Sequence, residues 1–126
     1  MKFFITLLSV LFAQIVLANG PTLKESQYKY VEQSIGKGKP YFLELGADSC
    51  RSCQIMGNML YKVKKKNCLY NIHFINVKRE REVAQKLQIR MIPTQIIYDK
   101  NGTEVYRHIG VLGTGELNEL FKKYEF

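Results

Sequence analysis

Tryptophan is absent from the 126 residues, and proline and cysteine each occur only three times. Three cysteines are too few to staple a disulfide-rich miniprotein, and a core of this length buries roughly two thirds of its unfolded surface without staples. The thiols are therefore free to do chemistry. Acidic residues are also scarce, 11 against 19 Lys and Arg, which leaves a net charge of +8. That excess favours acidic partners or an anionic lipid surface. It does not make a nucleic-acid binder, because the one dense basic run, Lys62, Lys64, Lys65 and Lys66, has only Tyr61 as an interleaved aromatic and reads as a solvated helix end. No repeat or low-complexity tract interrupts a composition of 46% apolar and 24% charged residues, that of one ordinary globular domain.

One long apolar run is present, at the start of the chain. Lys2 precedes an uncharged stretch from Phe3 to Ala18, and the character changes at Asn19, Gly20 and Pro21. This is the layout of a secretory signal peptide, residues 1–18, with cleavage expected after Ala18. A stretch interrupted by Thr6, Ser9 and Gln14 falls short of the ~20 apolar residues a spanning helix needs. No Cys follows for a lipid anchor. The remaining domain is thus expected to be periplasmic or secreted.

The pattern beyond it divides into a leading helix and connection, residues 19–39, and a main unit, residues 40–126. Leu23, Tyr28, Val31 and Ile35 predict a helix, broken by Gly36 to Pro40. Tyr41 to Leu45 has strand length, and Asp48 or Ser49 is placed to cap the helix predicted over Cys50 to Lys65. A strand over Ile72 to Val77 and a helix over Glu80 to Leu87 follow, an order that implies parallel strands covered on both faces. Thr94 to Tyr98 and Thr103 to Ile109 flank Asn101-Gly102, a hairpin signal, and a last helix runs from Thr114 to Tyr124.

Cys50-Arg51-Ser52-Cys53 carries the chemistry, a C-x-x-C that directly follows a buried strand and opens a helix. A thiolate at a helix N-terminus is stabilised by unpaired N–H groups and the positive end of the dipole, so Cys50 is expected to be the low-pKa nucleophile. Cys53, one turn inside, is then the resolving thiol, and Arg51 and Ser52 between them are expected to tune the pair, Arg51 through its charge. No cofactor is required. The competing reading is half a zinc site completed by Cys68 and His73, which lacks the second C-x-x-C or C-x-x-H that would support it. Cys68 reads as a half-buried small hydrophobe, and His73 and His108 as satisfied or exposed strand histidines. Glu44, in the middle of an apolar strand, must be paired at an edge or buried with a raised pKa.

Cys50 and Cys53, Ile92-Pro93-Thr94 and the closing hairpin and helix resemble the thioredoxin family over about Pro40 to Tyr124. The resemblance implies an α/β thioredoxin fold, three layers α/β/α around a mixed sheet of four to five strands, and a Cys50-Cys53 disulfide in the oxidised form. It implies that Pro93 is cis, that Ile92 and Thr94 meet an extended substrate segment by strand addition, and that Gly110 and Val111 form the opposite wall. It makes Glu44, six residues before Cys50, the proton acceptor and donor for Cys53. The chain departs from the family where Ser49 replaces a Trp, Arg51-Ser52 replaces Gly-Pro, and Phe74 stands at the place of a buried Lys. The last change predicts a higher pKa for Glu44.

The expected function is that of an extracytoplasmic thiol-disulfide oxidoreductase, a monomer that reduces disulfides in protein substrates. Similar secreted proteins keep partner thiols reduced, for instance in cytochrome c maturation, with electrons from a membrane carrier. The basic surface suits a weak contact with an anionic leaflet. The alternatives are an oxidant or isomerase on the same fold, and a non-catalytic binding module or zinc protein.

Overall fold

The structure, a computed structural model, describes residues 20–126; the expected signal peptide lies outside the described residues. Tyr41–Gly46 (β1) is apolar apart from Glu44, and its residues from Phe42 onward are buried, which fits a strand with neighbours on both edges and layers on both faces. It pairs in parallel with Ile72–Asn76 (β2) and antiparallel with Thr94–Tyr98 (β3). Glu104–Ile109 (β4) closes a hairpin with β3, giving the order β2-β1-β3-β4. The Asp99 carboxylate holds that hairpin's turn by accepting from the N–H groups of Asn101 and Thr103.

Strand alternation sends Phe42 and Glu44 to one face of the sheet and Leu43 and Leu45 to the other. Arg51–Lys66 (α2) and Thr114–Lys123 (α4) cover the Phe42 face through Met56, Leu60, Val63, Leu117 and Phe121. Tyr28–Glu32 (α1) and Arg81–Lys86 (α3) cover the other, where Tyr28, Val31 and Val83 pack on Leu43, Leu45, Ile75 and Ile96. The result is the three-layer α/β/α arrangement around a mixed sheet of four strands.

The leading helix is much shorter than its predicted span from Leu23 to Ile35. Leu23 N–H donates to the Gly57 carbonyl and Ser26 N–H to that of Phe74, and Glu25 bridges Phe74 in parallel, so the chain runs extended along β2. Backbone groups on the open edge of β2 outcompete a weak helical stripe that holds Lys24, Glu25 and Ser26. The segment adds a single parallel bridge at the edge of β2, outside the four-stranded sheet. Cys68 differs too: it is exposed beyond the end of α2, because Val63 is the last buried residue on that helix.

Candidate functional site

The site forms where β1 ends and α2 begins. Neither Asp48 nor Ser49 caps α2; the N-cap is Cys50, whose Sγ accepts from Cys53 N–H at 3.3 Å. A sulfur aimed at the first turn meets unpaired amides there, the environment that favours negative charge. Cys50 is half-buried while Cys53 is buried, and the two are not bonded to each other. Arg51 and Ser52 are exposed beside them. Gly46 allows the approach of Cys53: a Cβ there would lie 3.0 Å from its Sγ.

The turn from Ala47 to Cys50 is held from outside by Arg79, whose guanidinium bridges Asp48 and Glu25, with the Glu25 contact at 2.9 Å. Asn76, at the end of β2, donates to Asp48 Oδ2 at 3.3 Å, and Gln54 Nε2 donates to the Asp48 carbonyl at 2.8 Å. These contacts tie the cysteine turn to β2, α2 and the entering chain.

Glu44 is 1% exposed, and its neighbours in register are Phe74 on β2 and Gln95 on β3. The expected aromatic company is therefore in place. Burial pushes the carboxyl up to about 8, opposed by the hydrogen bond from Gln95 and assisted by negative charge on Cys50. Burial first, and then a hydrogen bond to Cys50, push the Cys53 thiol up to about 12. Glu44 and Cys53 line one cavity of about 270 Å³, shared with Leu23, Gly57, Asn58 and Phe74.

The remaining expected site residues lie in the loop ahead of β3, at the start of that strand and just beyond β4. The Ile92-Pro93 bond is cis, Pro93 is buried and Ile92 is half-buried. Thr94 is buried as well, its hydroxyl donating to the Met91 carbonyl at 2.6 Å, so its side chain shapes the loop from within. Gly110, at φ 104°, where a glycine is favoured, donates its N–H to the Pro93 carbonyl at 2.8 Å. Val111 beside it is 42% exposed and Met91, just ahead of Ile92, is 63% exposed, which leaves apolar surface on these two loops.

Gln95 was not singled out by the sequence reading, although it offers the same signal as Glu44, a polar residue inside a buried strand. It is fully buried and joins Glu44 to β4. His73 and His108 are both satisfied, His73 by Ser26 at 3.2 Å and a stack on Tyr41, His108 by Gln95 at 2.8 Å. The zinc grouping with Cys68 does not assemble: α2, 16 residues long, puts Cys50 and Cys68 at opposite ends, roughly 24 Å apart at the rise of a helix.

A buried carboxyl and a buried thiol on one cavity, a half-exposed thiol at a helix start and a cis Ile92-Pro93 bond are together the features of a dithiol site of the thioredoxin kind. A family model described as a thioredoxin-like domain matches residues 28–125, and the chain belongs to that family. It is similar to a thioredoxin-like protein derived from the SPbeta prophage of Bacillus subtilis (strain 168), YosR, at 31% identity over 83 residues, covering 64% of this chain and 94% of that one. Chloroplastic thioredoxin z has the same fold, with a TM-score of 0.72 at 18% identity over 84% of this chain and 96% of its own. A thioredoxin of Malassezia sympodialis, Mala s 13, gives 0.68 at 20% identity over 85% and 96%. The membership supports thiol-disulfide oxidoreductase chemistry in general and action on protein thiols.

Proposed function

We propose that this chain is an extracytoplasmic reductase of protein disulfides working through Cys50 and Cys53. The observation that carries the reading is the half-exposed Cys50 sulfur at the N-cap of α2, with Cys53 buried in a cavity shared with Glu44. The Cys50 thiolate attacks one sulfur of a substrate disulfide; that bond breaks, and the departing sulfur leaves as a thiolate that takes up a proton. Cys53 then gives its proton to the Glu44 carboxylate and attacks Cys50 Sγ. The mixed disulfide breaks, the second substrate sulfur leaves and is protonated, and two electrons have passed to the substrate. The chain is left with a Cys50-Cys53 disulfide, which an external dithiol must reduce.

The chemistry of Glu44 suits this sequence of events. Negative charge on Cys50 raises its pKa, so locking Cys50 in a mixed disulfide removes that charge and favours the carboxylate when Cys53 needs a base. The backbone of half-buried Ile92 is proposed to pair with an extended substrate segment, with Gly110 and the exposed Val111 as the opposite wall. The extracytoplasmic setting is supported by the composition of residues 1–18, and the net charge of +8 suits a weak contact with an anionic leaflet. A membrane carrier is the proposed electron donor, and cytochrome c maturation is a setting of the right kind.

Trapping tests this. Cys53→Ala should strand substrate on Cys50 as a mixed disulfide, and the captured protein should hold a disulfide that the wild-type chain reduces. Activity that survives Cys50→Ser and Cys53→Ser would mean a binding module instead. The exposed Arg51 beside Cys50 favours the second reading, an oxidant, by stabilising the reduced form. Equilibration against glutathione decides the direction: a potential near those of strong periplasmic oxidants reverses it.

A further inference from the structure

One side chain connects the buried carboxyl to the walls of the substrate groove. Gln95 Nε2 donates both to Glu44 Oε1 at 3.1 Å and to the Gly110 carbonyl at 2.9 Å. Its Oε1 lies 2.8 Å from His108 Nδ1, and since an amide oxygen only accepts, the Nδ1 of His108 carries the proton. Turning the amide over would set its oxygen against the Gly110 carbonyl, two acceptors with no hydrogen between them. Gly110 and His108 therefore fix the amide, and the amide fixes Glu44. Glu44 Oε2 has no hydrogen-bond partner among the described residues.

We propose that Gln95, held by His108 and Gly110, is a positioning residue that occupies Oε1 of Glu44, so that the carboxyl takes up and releases its proton at Oε2. The inference rests on the proposed dithiol chemistry. An oxygen that already accepts an N–H is the poorer place for a proton, and the other oxygen is left to carry it. The donated hydrogen bond also favours the carboxylate, opposing the effect of burial. Reduction by the dithiol needs that carboxylate when Cys53 gives up its proton to Oε2. Reduction of the Cys50-Cys53 disulfide runs the same transfer backwards, with Oε2 returning its proton to the departing Cys53 sulfur.

The groups facing Glu44 are few. Cys50 and Cys53 come from α2 and its cap, and β2 presents Phe74. Asp48 lines the same cavity from the turn after β1, the entering segment contributes the uncharged Gly20, Thr22 and Leu23, and β4 reaches Glu44 only through Gln95 and His108. Pro93 is joined to the same unit, because its carbonyl accepts from Gly110 N–H. The substrate wall and the acid are thus parts of one hydrogen-bonded assembly.

The experiment is a pH titration of the Glu44 carboxyl carbon by NMR in the reduced full domain, alongside single-turnover resolution of a mixed disulfide on Cys50. Gln95→Met, of similar volume and without the amide, should move the Glu44 midpoint up by about one pH unit and slow resolution at pH 7 about tenfold. His108→Phe, at a half-buried position, should raise the midpoint by about 0.3 pH unit and slow resolution about twofold. An unchanged midpoint in folded Gln95→Met overturns the proposal. Should that variant fail to fold, an unchanged midpoint in His108→Phe overturns it. The carboxyl titration needs no turnover, so it separates this inference from the reductase reading: a chain that reduces nothing yet shows the shift loses only the latter.

Discussion

The two faces of the sheet are built from one set of strands and differ in what they bury. Under α1 and α3 the buried cluster is aliphatic apart from Tyr28, with Tyr41 and Tyr98 packed at its margin. Under α2 and α4 an aromatic group of Phe42, Tyr70, Phe121 and Phe126 gives way, toward the start of α2, to Glu44, Gln95 and Cys53. The first face is scaffold from end to end. The second is scaffold at one end and a polar site at the other, and the buried carboxyl there is the cost of reactivity. Stability and chemistry therefore segregate along a single helix, α2, whose Leu60 packs in the core while its first residues serve the thiols.

The sharpest test of that division is its pH dependence. Glu44 ordinarily titrates near 4.5 and is held up to about 8 by burial. The folded state then keeps a proton that the unfolded chain releases, so the stabilisation it gives is complete below the ordinary value, declines as pH rises and is lost past about 8. At ~1.4 kcal/mol per pH unit the whole decline is on the order of 5 kcal/mol. Urea unfolding from pH 4 to 9 should show it in the wild type and not in Glu44→Gln; equal slopes would erase the contrast between the faces.

Next in size come matched truncations. Leu60→Ala and Ile75→Ala, one on each face and both fully buried, should each cost about 3 kcal/mol at any pH. A similar cost from both would show that the faces differ in chemistry and not in packing. The smallest effect belongs to the outside of the site. Arg79 bridges Asp48 and Glu25 in largely exposed pairs, so Arg79→Ala should lower stability by about 0.5 kcal/mol, a difference that fades in high salt. A larger loss would mean that the cysteine turn depends on this brace.

Much of this architecture was legible in the chain. The C-x-x-C after a strand, the isolated Glu44 and the Ile92-Pro93 pair are local signals; the structure sets Cys53 and Glu44 on one cavity and makes the Ile92-Pro93 bond cis. The extended entry was hidden because its hydrogen bonds belong to β2 and Gly57, far along the sequence. Cys50 as its own helix cap was hidden by stronger capping residues just before it, which the bracing of Asp48 turns elsewhere. Gln95 was hidden because no sequence pattern pairs it with a glutamate 51 residues away; only the register of β1 and β3 does so.

That cap ties the start of α2 to the redox cycle. As a thiolate, Cys50 is a strong acceptor for the Cys53 amide hydrogen; once joined to another sulfur it is a weak one. The first turn should therefore loosen each time Cys50 is covalently occupied, freeing Cys53 to move toward it. Hydrogen-deuterium exchange at that single amide would then report, without any substrate, how far round the cycle the molecule has gone.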